Sequence, residues 1–312
     1  MKNDESNSTP AHERTGQARH ERASTREGVI TSRDNRWLKV FRAALRGSGP
    51  EAGEPICVEG PKLIEDALRS GLGIEALLVS SRGMKLLEQV LRARSESPVE
   101  IPGPRIFETT DSLFASIAAT ETPQGVAALL RPRVWGFDDI LRGSPGPQGA
   151  FRGDPALVVM LEGVQDPGNV GSIVRSAEAF GATGVIATRG TADPWSPKAL
   201  RASAGSALRL PVLRGIATPV LLAQLRIGRV KIYAASSRPD TQAGARAITG
   251  ADLRVPTAIL IGNEGGGLPR EIESAADATI WIPMTCAVES LNAAVAASVV
   301  LYEAARQRNI TT

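Results

Sequence analysis

Three short segments in the second half of the chain place polar side chains at the ends of apolar runs, and the first two of them also contain glycines. The first extends from Asn169 through Gly171 to Arg175 and follows the apolar run Leu157–Leu161. Asn169 suits the cap position of the next helix, and Arg175, nearly two turns further on, is expected on a related face. Such a loop presents amide donors to an anion, although an ordinary strand-turn-helix junction has the same pattern.

The second segment, residues 259–269, is an apolar run that passes into a loop with four glycines around Glu264. Glycines permit positive φ and a close approach of the backbone to a ligand, and a carboxylate at the end of a strand suits a binding site. The segment lacks the Gly-x-Gly-x-x-Gly spacing of dinucleotide-binding proteins, and the chain has no P-loop lysine motif. We therefore expect a ligand of another kind.

The third segment, residues 282–292, leads into a helix rich in alanine and valine. Ser290 and Asn292 place a hydroxyl and an amide near the N-terminus of this helix. Helix capping accounts for one of these side chains and does not need both. The other is a candidate for contact with a ligand or substrate.

Histidine is absent from the chain after residue 28, because His12 and His20 both lie in the polar N-terminal segment. This excludes Ser-His-Asp hydrolysis, Cys-His nucleophilic catalysis and zinc held by histidine. The two cysteines, Cys57 and Cys286, are too few for a zinc cluster or a disulfide framework and are expected to be small buried hydrophobic residues. We expect no metal, and chemistry that uses Arg, Glu, Ser, Asn and backbone groups.

The formal net charge of +3 arises in the second half of the chain. Residues 151–312 hold sixteen basic and thirteen acidic side chains, whereas residues 29–150 hold fifteen of each. This mild excess favours a polyanionic partner. No run approaches the ~20 apolar residues that cross a bilayer, and a soluble, cytoplasmic protein without a membrane partner is expected.

The order of the predicted elements divides the chain into two α/β domains. Residues 1–28 are polar and are expected to form a disordered tail, and residues 29–131, with a helix near residues 34–46 and alternating strands and helices after it, form a small domain. Residues 132–154, dense in glycine and proline, are interpreted as a linker. Residues 155–312 form the second domain, whose strand candidates are residues 156–161, 184–187, 210–213, 230–234, 258–261 and 279–282. Apolar runs without alternation favour a mostly parallel sheet with helices on both faces.

Together, the three segments closely resemble the motifs of the SpoU/TrmH family of the SPOUT superfamily of RNA methyltransferases. The resemblance covers about residues 156–308 and extends to residues 195–205, between the first and second motifs. Residues 30–36, 57–60 and 122–126 are similar to the L30e-like substrate-binding domain that precedes the catalytic domain in many members.

This resemblance implies a SPOUT domain with a deep trefoil knot, S-adenosyl-L-methionine bound in the knot, and a homodimer formed through the SPOUT domain. The cofactor contacts that it implies are Leu260, Gly262, Glu264, Ile282, Met284 and Leu291. The catalytic arginine of the family maps onto Arg175, with Asn169, Glu264, Ser290 and Asn292 as the other motif residues. Cys286 stands where family members commonly have glycine, and its side chain is expected to crowd the methionine end of the cofactor.

The activity that the resemblance implies is methyl transfer to a ribose 2′-hydroxyl of RNA. Because arginine is a poor base, Arg175 is expected to hydrogen-bond the ribose or an adjacent phosphate and to stabilise developing oxyanion charge. The segment beginning at Ile30 is similar to ribosomal-RNA-modifying members, so large-subunit (23S) rRNA is favoured over tRNA. Two other readings stay open, which are methylation of a base and a non-catalytic RNA-binding or ribosome-assembly factor that kept the fold.

Overall fold

The computed structural model describes residues 24–46, 55–95, 103–142, 155–237, 245–285 and 289–308. Within these ranges the chain forms two α/β domains, each built on one sheet. Most of the segment predicted to be a disordered tail lies outside the described residues. Its end does not, because the first strand begins at Thr25 and places residues 25–28 in a sheet, so the predicted tail extends too far.

The first domain has a five-stranded mixed sheet. Its strands are β1 (Thr25–Ile30), β2 (Ile56–Glu59), β3 (Ile74–Ser80), β4 (Arg105–Thr109) and β5 (Val126–Leu130), in the order β1-β4-β3-β5-β2. Its described helices are α1 (Arg36–Leu45), α2 (Pro61–Arg69), α3 (Met84–Ser95) and α4 (Asp111–Ala115). The patterns indicated neither β1 nor β4: β1 is an edge strand with only one buried residue, and β4 is a short strand that begins with a charged residue.

The two faces of this sheet are covered by different helices. On one face, Leu38, Phe41 and Leu45 of α1 pack with residues that include Cys57 and Leu129. Burial raises the pKa of the Cys57 thiol, as suits the small buried hydrophobic residue that was expected. On the other face, α2 and α3 cover a cluster that is continuous with the core of the second domain.

The second domain is built on a seven-stranded sheet in which all neighbouring strands are parallel. Its strands are β6 (Leu157–Leu161), β7 (Gly184–Thr188), β8 (Val212–Ile216), β9 (Lys231–Ser236), β10 (Arg246–Ala247), β11 (Thr257–Ile261) and β12 (Ala278–Trp281), in the order β10-β12-β9-β11-β6-β7-β8. Its described helices are α5 (Phe137–Arg142), α6 (Pro167–Ala179), α7 (Pro197–Ala202), α8 (Thr218–Ile227), α9 (Arg270–Ser274) and α10 (Ala293–Gln307). The predicted α/β class and parallel sheet are confirmed.

Helix α5 lies inside the region that the sequence analysis assigned to a linker. Ile140 of α5 is fully buried and packs with Val158 and Met160 of β6. This part of the predicted linker therefore belongs to the second domain. The glycine- and proline-rich stretch at residues 143–150 lies outside the described residues.

The strand order brings the carboxyl ends of β9, β11 and β6 side by side. Leu260 of β11 pairs with Ala234 of β9 and with Met160 of β6, so the loops after these strands meet at one edge of the sheet. The trefoil knot that the resemblance implies stays a prediction.

Helices α6 and α10 pack against each other beside this edge. Ser176 and Ser298 share a hydrogen bond of 2.7 Å between their hydroxyls, and the rings of Phe180 and Tyr302 meet edge to face at 5.9 Å. Among the described helices, none has the length and apolar character to cross a membrane.

Candidate active site

Helix α6 begins with a cap that the sequence analysis placed three residues too late. Asp166 is the capping residue, since its Oδ1 accepts a hydrogen bond of 2.8 Å from the amide of Gly168, and Pro167 occupies the first helical position. Lys198 of α7 pairs with the same carboxylate at 2.6 Å. The hydrogen bond from Lys198 and that from the Gly168 amide lower the pKa of Asp166. An aspartate directly before a proline is itself a signal of a helix start.

Asn169 is thereby released from capping and connects the three motifs. Its Nδ2 donates a hydrogen bond of 2.9 Å to Oε1 of Glu264, and its Oδ1 accepts one of 3.0 Å from Nδ2 of Asn292. The three side chains belong to segments separated by 95 and 123 residues in sequence from Asn169. They form a continuous hydrogen-bonded chain, which we call the amide–carboxylate bridge.

Glu264 is the acceptor on which several donors converge. Besides Asn169, the backbone amides of Gln165 and Asp166 donate to its two oxygens at 3.1 and 3.3 Å. Partial burial raises the pKa of Glu264, but these hydrogen bonds outweigh burial and the net shift is downward. The donors on Glu264 tie the glycine loop to the loop after β6 and to the start of α6.

The glycine loop after β11 is folded tightly on itself. Asn263 and Gly267 exchange backbone hydrogen bonds of 3.0 and 2.9 Å, and Oδ1 of Asn263 accepts from the amides of Gly265 and Gly266. A Cβ atom at Gly262 would lie 2.3 Å from the carbonyl carbon of Gly267. The glycine at 262 is therefore required by the close approach of backbone to backbone.

Asn292 is the cap of helix α10. Its Oδ1 accepts hydrogen bonds of 2.9 and 3.3 Å from the amides of Ala294 and Val295, while its Nδ2 reaches Asn169. Ser290 has no hydrogen bond within the described part of the chain and lines the adjacent cavity. Of the two side chains proposed as alternatives for capping, Asn292 caps and Ser290 faces the site.

A cavity of about 390 Å³ opens between the glycine loop, the end of β9 and the start of α10. Five of the predicted cofactor residues line it, namely Gly262, Glu264, Ile282, Met284 and Leu291. Leu260 does not, since alternation along β11 directs its side chain into the core beside Met160, and Ile261 takes the place at the cavity. Cys286 lies outside the described residues, so its effect on the cofactor stays a prediction.

The lining of this cavity suits a nucleoside. Apolar side chains such as Ile261, Leu268 and Ile280 offer surface for an aromatic base, while the peptide groups of the glycine loop offer donors and acceptors for its polar edge and for a ribose. The volume falls in the range of ~300–1,000 Å³ found for small-molecule pockets. The residues present therefore fit S-adenosylmethionine.

Arg175 lies at the surface, beyond the cavity lining. It is exposed, six residues after Asn169 on α6, and it forms no hydrogen bond or ion pair within the described residues. The next residue, Ser176, is bonded to Ser298 of α10. The guanidinium is thus carried by a well-anchored helix and is free to contact an RNA phosphate or ribose.

Other residues of the site carried weaker sequence signals. Ser236 and Ser237 line the cavity at the carboxyl end of β9, a position that the parallel-sheet rule marks for ligands. Asn263, which ties the glycine loop to the carbonyl of Gly163 at 2.8 Å, is a turn-forming residue in a glycine-rich segment. Glu273 also lines the cavity, and no sequence pattern marks it.

Comparison with known proteins identifies both domains. Residues 156–302 match the SpoU rRNA Methylase family, and residues 52–128 match the MRM3-like substrate binding domain. An uncharacterized tRNA/rRNA methyltransferase of Synechocystis sp. is 32% identical over 282 residues, which cover 89% of this chain and 94% of the relative. A second one, from Mycobacterium ulcerans, is 34% identical over 273 residues, or 86% of this chain and 83% of the relative.

Two similar solved structures contain the cofactor. The AdoMet-bound rRNA methyltransferase from Sinorhizobium meliloti superposes with a TM-score of 0.71 at 29% identity, covering 91% of this chain and 98% of that one. The SpoU methyltransferase AviRb from Streptomyces viridochromogenes, in complex with AdoMet, gives 0.71 at 28% identity, with 89% and 100% covered.

Fold, cavity and comparisons together define an RNA methyltransferase whose cofactor is S-adenosylmethionine. The chain belongs to the SpoU methylase family, with an MRM3-like substrate-binding domain ahead of the catalytic domain.

Proposed function

We propose that this chain methylates a ribose 2′-hydroxyl of large-subunit ribosomal RNA. A solved structure described as an RNA 2′-O ribose methyltransferase supports this, with a TM-score of 0.68, 29% identity, and 90% of this chain and 100% of that one covered. The observation that carries the proposal is the amide–carboxylate bridge, because it couples the wall of the cofactor cavity to the helix that bears Arg175.

Bound S-adenosylmethionine supplies an electrophilic methyl group on a positively charged sulfur. The glycine loop and the apolar wall of the cavity hold the cofactor, and the bridge from Glu264 through Asn169 to Asn292 fixes α6 relative to α10. Fixed geometry of this kind supplies much of the rate of a bimolecular transfer.

Arg175 handles the reacting end of the RNA in this proposal. The ribose oxygen gains negative charge as its proton is lost to solvent, before the new bond to the methyl carbon neutralises it, and a guanidinium hydrogen-bonded to that oxygen or to the adjacent phosphate stabilises the charge. The exposure of Arg175 and its lack of a carboxylate partner in the described residues suit this role.

We propose further that the catalytic domain forms a homodimer through α10. Val295, Val299 and Tyr302 are exposed at 50, 37 and 58%, and their spacing places them in one stripe along the helix. Such a stripe beside α6 is suited to burial by a second copy. Sedimentation of the full chain should show a dimer, and Val295→Glu with Val299→Glu should yield monomers; an unchanged sedimentation coefficient would contradict this interface.

The names of the relatives cover both tRNA and rRNA, so tRNA is the second candidate substrate. The deciding experiment uses RNA from a strain that lacks the gene, incubated with the purified chain and methyl-labelled cofactor. We expect label in 23S rRNA at one ribose that becomes resistant to alkaline cleavage. Label in tRNA, or on a base, would overturn the target or the reaction.

A further inference from the structure

The first domain is formally neutral, but its charges are segregated along the chain. Residues 24–46, which contain β1 and α1, hold six basic and two acidic side chains, whereas residues 47–131 hold eight basic and twelve acidic ones. The excess of four on this short segment exceeds the +3 of the whole chain. The first domain is therefore neutral as a whole but strongly positive over residues 24–46.

The positive region has a defined place on the surface. Helix α1 buries an apolar face against the sheet. Cations on its other side and directly before and after it form a set that we call the α1 basic face: Arg33, Arg36, Lys39, Arg42 and Arg46. From Arg36 to Arg46 the helix rises about 15 Å. A row of like charges of this length is suited to a linear polyanion.

Most cations of the α1 basic face have no carboxylate partner within the described residues. Lys39 pairs with Asp34 at 3.2 Å, but Arg42 donates only to the carbonyl of Arg33, and the guanidiniums of Arg33 and Arg36 meet no carboxylate there. On the neighbouring strands, by contrast, cations are neutralised in ion pairs: Arg26 with Glu108, and Arg105 with Glu27. The positive potential is thus concentrated on the helix.

An aromatic ring holds one of these guanidiniums in place. The ring of Trp37 lies 4.9 Å from that of Phe107, and Cζ of Arg36 lies 5.5 Å from the Trp37 centroid. Arg105 lies 4.8 Å from the same centroid. A guanidinium already held over a ring loses little further conformational freedom when it binds RNA. Arg36 is therefore preorganised to contact a phosphate or to stack on an exposed base.

We propose that the α1 basic face is an anchoring surface for RNA, which holds the phosphate backbone of a segment remote from the reacting ribose. Helix α1 covers the sheet face opposite to the one whose core continues into the catalytic domain. The surface also precedes residues 52–128, the part that matches the substrate-binding family. The proposal rests on the RNA substrate of this family and not on the choice of 2′-hydroxyl or of rRNA.

Salt-dependent binding of labelled poly(U) RNA tests the proposal. Arg36→Gln, Lys39→Gln and Arg42→Gln are combined in the full chain, and binding is measured by fluorescence anisotropy over a range of KCl concentrations. Loss of three phosphate contacts should weaken binding about tenfold and lower the slope of log affinity against log salt by about two. The matched control combines Arg69→Gln, Lys85→Gln and Arg92→Gln, which are exposed cations of α2 and α3 in the same domain.

An unchanged affinity and slope in the α1 variant would overturn the proposal, as would an equal loss in the control. Polyglutamate and unlabelled poly(U) are also compared as competitors at equal total charge. If polyglutamate displaces the labelled RNA from the wild-type chain as well as poly(U) does, the surface is assigned to an acidic protein instead. Single variants Arg36→Gln and Arg42→Gln, each expected to lower the slope by about 0.7, replace the triple variant if its circular dichroism shows misfolding.

These assays do not depend on catalysis. Calorimetric titration with S-adenosylmethionine should give the same affinity for both triple variants and for the wild type. A failure of the proposed ribose methylation would leave these binding results standing, and a failure here would leave the methylation assay unaffected.

Discussion

Glu59 ends a strand of the first domain and Glu264 lies in the loop just after a strand of the second, and the two carboxylates have similar partners but different surroundings. Glu59, at the end of β2, is buried and accepts hydrogen bonds from the Ala119 amide and the Thr120 hydroxyl. Glu264, after β11, accepts from Asn169 and from two backbone amides beside an open cavity. The first holds one loop to its own sheet, whereas the second joins three distant motifs around a binding site.

This difference shows that convergence of donors on a carboxylate does not by itself indicate function. Glu59 does not line the cavity described above, and its two hydrogen bonds stay within its own domain. Glu264 stands beside space for a ligand, and its hydrogen bonds lead to the helix that carries Arg175. Variants of both domains should therefore separate losses of activity from losses of stability.

The largest expected effect is that of Arg175→Ala. Removing a group that stabilises developing negative charge typically costs about 10²–10³ in rate, and single-turnover methylation should fall by at least that much. Calorimetry should show cofactor affinity within about twofold of wild type, because Arg175 does not line the cavity. Arg92→Ala, which removes an exposed arginine of the first domain, is the control; retained turnover in Arg175→Ala would refute its catalytic role.

The pair Glu264→Gln and Glu59→Gln tests the comparison directly. In Glu264→Gln the amide group cannot accept all the hydrogen bonds that the carboxylate accepts. The rate of methylation should therefore drop about tenfold or more, while the free energy of unfolding changes by about 1 kcal/mol. Glu59→Gln should cost more stability, about 1–3 kcal/mol, and leave turnover near wild type at a temperature where the domain is folded. Chemical denaturation measures the stability of each variant, and initial rates measure its activity. Equal losses of activity in the two variants would contradict the different roles of the two carboxylates.

Local patterns were sufficient to predict most of the strands of the second domain and the positions of the three motifs. Apolar runs fixed β6, β7, β9, β11 and β12 to within a few residues. The runs did not show which way Leu260 points, because a strand buried on both faces gives no alternation to read. They also missed α5, whose burial depends on contact with β6 and not on its own composition.

The amide–carboxylate bridge could not be predicted from local patterns, for a different reason. Its hydrogen bonds span 95 and 123 residues, so they follow from the order of strands β9, β11 and β6 and not from spacing along the chain. The prediction that Asn169 caps the helix gave its side chain a local partner in place of Glu264 and Asn292. With Asp166 as the cap and Pro167 at the first helical position, the side-chain amide of Asn169 is not needed for capping and bonds to Glu264 and Asn292 instead.

A smaller effect is expected when Asn292 keeps its role as the cap of α10 but loses its hydrogen bond to Asn169 of α6. Asn292→Ser retains an oxygen for the amides of Ala294 and Val295 but leaves Asn169 out of reach, so the melting temperature should change little while turnover falls a few fold. Asn292→Ala loses both and should cost about 1 kcal/mol more. If Asn292→Ser is as active as wild type, the bridge does not position Arg175.

The smallest effect concerns the pH dependence of stability. Because the pKa of Glu264 is lowered in the folded chain, its ionised form stabilises the fold above the unfolded value of about 4.3, and this contribution is lost as the pH falls through the folded pKa. The free-energy difference between wild type and Glu264→Gln should thus be constant near neutrality and shrink below about pH 4. Denaturation at several pH values measures it. A difference that persists unchanged in acid would mean that Glu264 contributes through packing and not through its charge.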